Sequence, residues 1–122
     1  MLGDDLKHSD LKQSGLVQGT LDMLILKTLA LRPMHGYGIG VRIEQISKGV
    51  FQVNAGSLFP AIRRMERDGL IAGEWGATEN NRRAKYYALT TQGRAALKRE
   101  TRDWEVQLAA ITRILKASPT EA

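Results

Sequence analysis

Cysteine is absent from the chain, which excludes disulfides, thiol catalysis and zinc–thiolate centres and agrees with a reducing compartment. Histidine is scarce: His8 and His35 stand far apart, with no carboxylate at ligand spacing, so neither a metal nor a cofactor is expected. Long apolar runs are missing too. Met23–Leu26 is typical of the longest, against the roughly 20 residues a membrane-spanning helix needs. The opening residues carry Asp4 and Asp5 where a secretory signal needs a basic start and an apolar run, so a cytoplasmic protein is expected. Ser9, Ser14, Ser47, Ser57 and Ser118 have no histidine near them in sequence, and no residue set offers a nucleophile with its base; an enzyme is not expected. Gly36–Gly40 reads G-x-G-x-G, but neither the strand nor the lysine of a phosphate loop accompanies it.

Present instead is an excess of positive charge, 18 Lys and Arg against 13 Asp and Glu, giving a formal net charge of +5. That favours an anionic partner without distinguishing a polyanion from an acidic protein or a membrane surface. A length of 122 residues allows one domain with a modest core, plus an element that finds its partner in another chain.

The apolar pattern predicts helix, helix, helix, hairpin, long helix. Leu21, Leu24, Ile25 and Leu29 share a helical face that ends before Pro33, because the residue preceding a proline is driven out of helical geometry. A second helix follows the turn at residues 35–38, where His35 is expected to pack; Ile39, Ile43 and Ile46 form its stripe and Gly49 stops it. Asn54 or Ser57 caps the third helix, and with Ser57 as the cap Pro60 falls in the first turn, where its missing amide costs nothing. Leu58, Ile62 and Met65 then face inward, Arg63, Arg64 and Arg67 outward, and Gly69 closes the helix. Residues 71–75 and 85–89 read as a two-stranded β-hairpin with a turn-rich loop over 76–81. Thr90 or Thr91 caps a last helix that runs without proline to about Lys116.

Two constellations carry function. A short basic helix followed by a hairpin bearing Asn81, Arg82, Arg83 and Lys85 is the order of a winged helix-turn-helix, in which the helix starting at Asn54 enters the major groove of double-stranded DNA and the ribbon reaches the backbone or minor groove. In the last helix Leu97, Thr101, Trp104, Leu108, Ile111 and Leu115 are spaced 4, 3, 4, 3, 4, a heptad seam. Such a seam either folds back on its own domain or pairs two subunits. Pairing sets two modules on half-sites about one DNA turn, roughly 34 Å, apart. Trp104 either fills that interface or walls a pocket for a planar apolar ligand. The competing reading is a winged helix that uses this seam to bind another protein and never touches DNA.

In its motifs the chain resembles the PadR family of bacterial transcriptional regulators: residues 19–29 (GTLDMLILKTL), 35–39 (HGYGI), 56–71 (GSLFPAIRRMERDGLI) and 82–93 (RRAKYYALTTQG), in family order across about residues 14–116. The resemblance implies a homodimeric repressor on a palindromic operator, released by a small aromatic or drug-like effector. It also places Ser57, Phe59, Pro60, Arg63 and Arg64 on the recognition helix, Tyr37 near the backbone on the second helix, and Arg82, Arg83 and Lys85 on the wing. Phe59 stands where many members carry tyrosine. Trp104 resembles the tryptophan with which a drug-binding branch stacks aromatic compounds. The expected organisation is a mainly α protein: an N-terminal extension over 1–13 with Leu6 and Leu11 as anchors, a winged helix-turn-helix domain over 14–90, a dimerisation helix over 91–116, and a frayed tail over 117–122.

Overall fold

The computed structural model describes residues 19–121, so the expected N-terminal extension over 1–13, its anchors Leu6 and Leu11, and His8 lie outside the described residues. Helix α1, Thr20–Leu31, is the central element, touching the three other helices and the sheet; Ile25, Leu26 and Leu29 are buried along it. It ends as the sequence requires, with Arg32 extended ahead of Pro33. The chain stays extended for two residues, β1 (Met34–His35), before α2 (Gly36–Ile46) begins. His35 does more than pack at this turn, because its Nδ1 accepts the Gly38 amide at 3.0 Å and caps α2. Ile39 and Ile43 are buried, whereas Ile46, the third member of the expected stripe, is exposed on the last turn. Gly49, at φ 80°, closes that end by donating its amide to the Glu44 carbonyl at 2.8 Å.

Helix α3 spans Ala55–Arg67, and its cap is Asn54 rather than Ser57: Asn54 Oδ1 accepts the Ser57 amide at 2.9 Å. Pro60 is therefore interior, which corrects the first-turn expectation, and the Gly56 carbonyl has no amide four residues on. The helix tolerates this because Gly56 and Pro60 both lie on its exposed side, where water reaches the orphaned carbonyl. Leu58, Ala61, Ile62 and Met65 form the buried face.

Strands β2 (Ile71–Ala77) and β3 (Arg83–Leu89) pair from Ile71↔Leu89 to Ala77↔Arg83, each two residues longer at the tip than the apolar pattern suggests. The sheet has three strands, not two: β1 joins the other edge of β3 through Met34↔Tyr87 and His35↔Tyr86, in the order β1-β3-β2. Asn81, at φ 59°, turns the hairpin, and its amide reaches the Thr78 carbonyl at 2.9 Å. Helix α4, Thr91–Leu115, starts at Thr90, whose Oγ1 accepts the Gly93 amide at 3.0 Å while its hydroxyl donates to the Gly69 carbonyl at 2.6 Å. One side chain thus fixes both the end of the α3 turn and the start of α4. Gly93 lies so close to the Leu70 carbonyl that a β-carbon there has no room. A 3-10 turn at Pro119–Glu121 occupies the stretch expected to be a frayed tail.

Candidate nucleic-acid interface

At 3.6 residues per turn, the buried Leu58, Ala61, Ile62 and Met65 leave Gly56, Pro60, Arg63 and Arg67 along the opposite side of α3, and all four are exposed. Arg63 makes no ion pair among the described residues, and Arg67 only a loose one with its neighbour Asp68 at 3.9 Å. Arg67, four residues from Arg63, belongs to this face although the expected site stopped at Arg64; the i, i+4 spacing was signal enough. Arg64 is a different case. It forms a two-pronged bridge to Asp22 of α1, Nη1 to Oδ2 and Nη2 to Oδ1, each at 2.8 Å. This hydrogen bonding raises the guanidinium pKa above its ordinary value. Arg64 does lie outward, as expected, with its side chain 44% exposed, but two of its donors are held by Asp22 of α1.

On the other side of the exposed face, Lys85 Nζ of β3 meets the Glu66 carboxylate at 2.9 to 3.0 Å, and that hydrogen bond raises the lysine pKa. Lys85, expected as a wing cation, is thus held against α3 instead of pointing into solvent. Arg82 and Arg83 remain exposed at the wing tip. Arg83 lies over the ring of Trp75 at 4.8 Å, a cation–π contact that leaves its donors outward. Trp75 was legible only as a strand residue; its diagonal relation to Arg83 needs the hairpin register.

At the entry end, Asn54 is occupied in capping, Ser57 and Phe59 are half-buried, and Pro60 is exposed. The Phe59 ring packs so tightly on Gly36 that a β-carbon at 36 would sit 2.6 Å from it. That contact fixes the start of α2 against α3 and leaves Tyr37, 72% exposed, projecting beside the recognition face. The expected site residues thus divide: Tyr37, Pro60, Arg63, Asn81, Arg82 and Arg83 are exposed, Asn54 and Arg64 are exposed but also engaged within the chain, and Ser57, Phe59 and Lys85 are half-buried.

The heptad seam divides as well. Leu97 packs against the domain core, and Thr101 and Trp104 are half-buried, so the first part of α4 folds back on its own domain. Leu108, Ile111 and Leu115 are 48, 45 and 80% exposed and share one side of the free second half. Where α4 crosses α1, Trp104 lines a cavity of about 190 Å³ with Thr20, Met23, Glu100, Asp103 and Gln107. Glu100 Oε2 is buried without a hydrogen-bond partner among the described residues, and burial, then the charge of Asp22, push its carboxyl pKa up against the opposing pull of Arg99 and Arg64. Among the described residues no group of three or more acids and histidines could hold a metal, and no helix is long and apolar enough to cross a membrane.

Three helices, a short strand between the first two, and a basic hairpin after the third define a winged helix-turn-helix. The model of the PadR-like transcriptional regulator family matches residues 25–99, and the chain belongs to that family. A transcriptional regulator of Mycobacterium tuberculosis is 33% identical over 81 residues, covering 66% of this chain and 72% of its own length. Among solved structures, a PadR family transcriptional regulator from Eggerthella lenta is similar with a TM-score of 0.72 and 29% identity, over 97% of this chain and 99% of its own. A transcriptional regulator from Clostridium thermocellum gives 0.73 and 27%, over 81% of this chain and 96% of its own. The protein is a DNA-binding transcriptional regulator.

Proposed function

We propose that the protein is a repressor that binds a palindromic duplex operator as a homodimer, reads bases with the exposed side of α3, holds the backbone with the wing tip, and is released by a small aromatic ligand. The observation that carries this reading is the sorting of cations: Arg63, Arg67, Arg82 and Arg83 are left to solvent on adjacent elements, while Arg64 and Lys85 beside them are neutralised internally. The uncovered strip at Leu108, Ile111 and Leu115 supports pairing with a second copy, which sets two reading helices on successive turns of one DNA face. Repression and release by a ligand are what the resemblance to the family implies. The half-buried Trp104 beside a cavity supports an aromatic ligand; at about 190 Å³ the space is below the roughly 300 Å³ of a drug-sized pocket, so the second copy completes it. Nothing in this reading requires catalysis.

The test is selection of bound fragments from genomic DNA, followed by titration of the recovered operator with Arg63→Ala. A lost bidentate base contact is worth about 1–3 kcal/mol, so affinity falls roughly five- to 150-fold per half-site while the melting curve stays put. Unchanged affinity at 0.15 M salt, ~8 Å screening length, refutes base reading by this face and favours a protein-binding module.

A further inference from the structure

A concavity of about 780 Å³ lies away from the exposed side of α3, between α2 and the wing. Its origin is the shortness of β1. That strand pairs with β3 only at Tyr86 and Tyr87, so the edge of β3 from Arg83 to Lys85 has no strand beside it, and α2 turns away to leave a notch. Arg32 and Arg42 line it from the α1–α2 side, Arg82 and Arg83 from the wing. Glu79 is the one acid in the lining. No ion pair within 4 Å forms at any of the four arginines among the described residues; Arg42 meets only the neutral Gln45 Oε1, at 3.3 Å. Arg32, Arg42 and Arg82 bring positive charge to the cleft, and Arg83 lines it although its guanidinium lies over Trp75 of β2; the arginines repel one another and focus a positive field, which a row of phosphates relieves.

We propose that this notch is a backbone clamp: Arg42 and Arg32 bind DNA phosphates that the wing arginines hold from the other wall, extending the footprint past α3 and the wing tip. The inference rests on the DNA-binding reading above and adds two contacts to it. Polymeric phosphate, not a small anion, is the occupant because two of the four arginines are the wing-tip pair already assigned to the DNA backbone, so the notch continues that surface. The contacts are sequence-independent, since phosphates carry no base identity.

Each phosphate neutralised contributes about 0.9 to the slope of log affinity against log salt concentration. Anisotropy titrations of a random-sequence duplex over 0.05–0.3 M salt therefore compare the parent with Arg42→Ala, Arg32→Ala and the double variant. A bound homodimer carries each substitution twice, so each single variant loses about 1.8 in slope and binds roughly sixtyfold more weakly at 0.1 M salt, and the double variant loses about 3.6. Arg113→Ala, which removes an exposed charge from the last turn of α4, is the control and keeps the parental slope. A parental slope in the double variant, with far-ultraviolet circular dichroism showing it folded, overturns the clamp and leaves DNA binding standing; equal losses in Arg113→Ala overturn it as mere net charge. A parent that binds no duplex at all overturns the DNA reading itself.

Discussion

The bridge between Arg64 and Asp22 can be tested as a device that sets the orientation of the recognition helix. The perturbation is a double-mutant cycle of Arg64→Ala, Asp22→Ala and both. Two parallel bonds of 2.8 Å give the pair fork geometry, but the side chains are 44 and 23% exposed, so water screens it. The coupling energy expected is about 1 kcal/mol, the top of the range for exposed pairs and well short of a buried one. Arg64→Ala alone costs more, about 1.5–2 kcal/mol, because it leaves Asp22 without its bidentate partner and facing Glu100, whose charge only Arg99 then offsets. Urea unfolding at fixed protein concentration reads both numbers, and at roughly 4–8 °C per kcal/mol the melting point falls visibly. Arg64→Lys keeps the charge but cannot match both oxygens, and recovers only part of the loss. Duplex affinity falls less in Arg64→Ala than in Arg63→Ala, since two of the Arg64 donors are engaged by Asp22 while Arg63 makes no ion pair among the described residues. A coupling below about 0.3 kcal/mol, or an Arg64→Ala variant of parental stability that binds DNA as poorly as Arg63→Ala, refutes the assignment of Arg64 to the scaffold.

Glu100 predicts a pH dependence of defined sign. Its carboxyl pKa is raised in the folded chain by burial and by Asp22, so the stability it contributes is full below the unfolded value, about 4.3, and is lost as pH rises through the folded value. Glu100→Gln therefore melts higher than the parent at pH 7 and level with it near pH 4; a pH-independent difference refutes this. At the free half of α4, Leu108→Glu with Ile111→Glu keeps the circular dichroism spectrum and halves the mass measured by light scattering; an unchanged mass rules out pairing through this strip.

The helices were legible because each buries a face that repeats at 3.6 residues, and the caps were narrowed to neighbouring pairs of residues. Distance decided between them, Asn54 over Ser57 and Thr90 over Thr91. What local pattern could not show are contacts made over long separations. Strand β1 is two residues whose partners lie about 50 positions on, so nothing in Met34–His35 announces a strand. Arg63 and Arg64 are adjacent and chemically identical; only Asp22, 42 residues earlier, makes one structural and leaves the other free. The seam of α4 has one continuous spacing, yet its first half meets α1 while Leu108, Ile111 and Leu115 in its second half stay exposed, because the winged domain ends before the helix does.

These long-range contacts also explain why the reading face is defined at all. Around the axis of α3, Arg64 sits on one border of the exposed side and Glu66 on the other, with Arg67 and Arg63 between them. One border is tied to α1 through Asp22 and the other to the wing through Lys85. A helix held on a hydrophobic face alone can roll by a fraction of a turn at little cost, since burial is non-directional. Two ion pairs on opposite borders resist rolling in both directions, and they place Arg63 midway between the wing and the first helix. The Asp22 tie also meets the charge environment of Glu100 on α4. Asp22 and Arg64, which fix one border of α3, are thus also among the charges acting on the buried Glu100 carboxyl of α4.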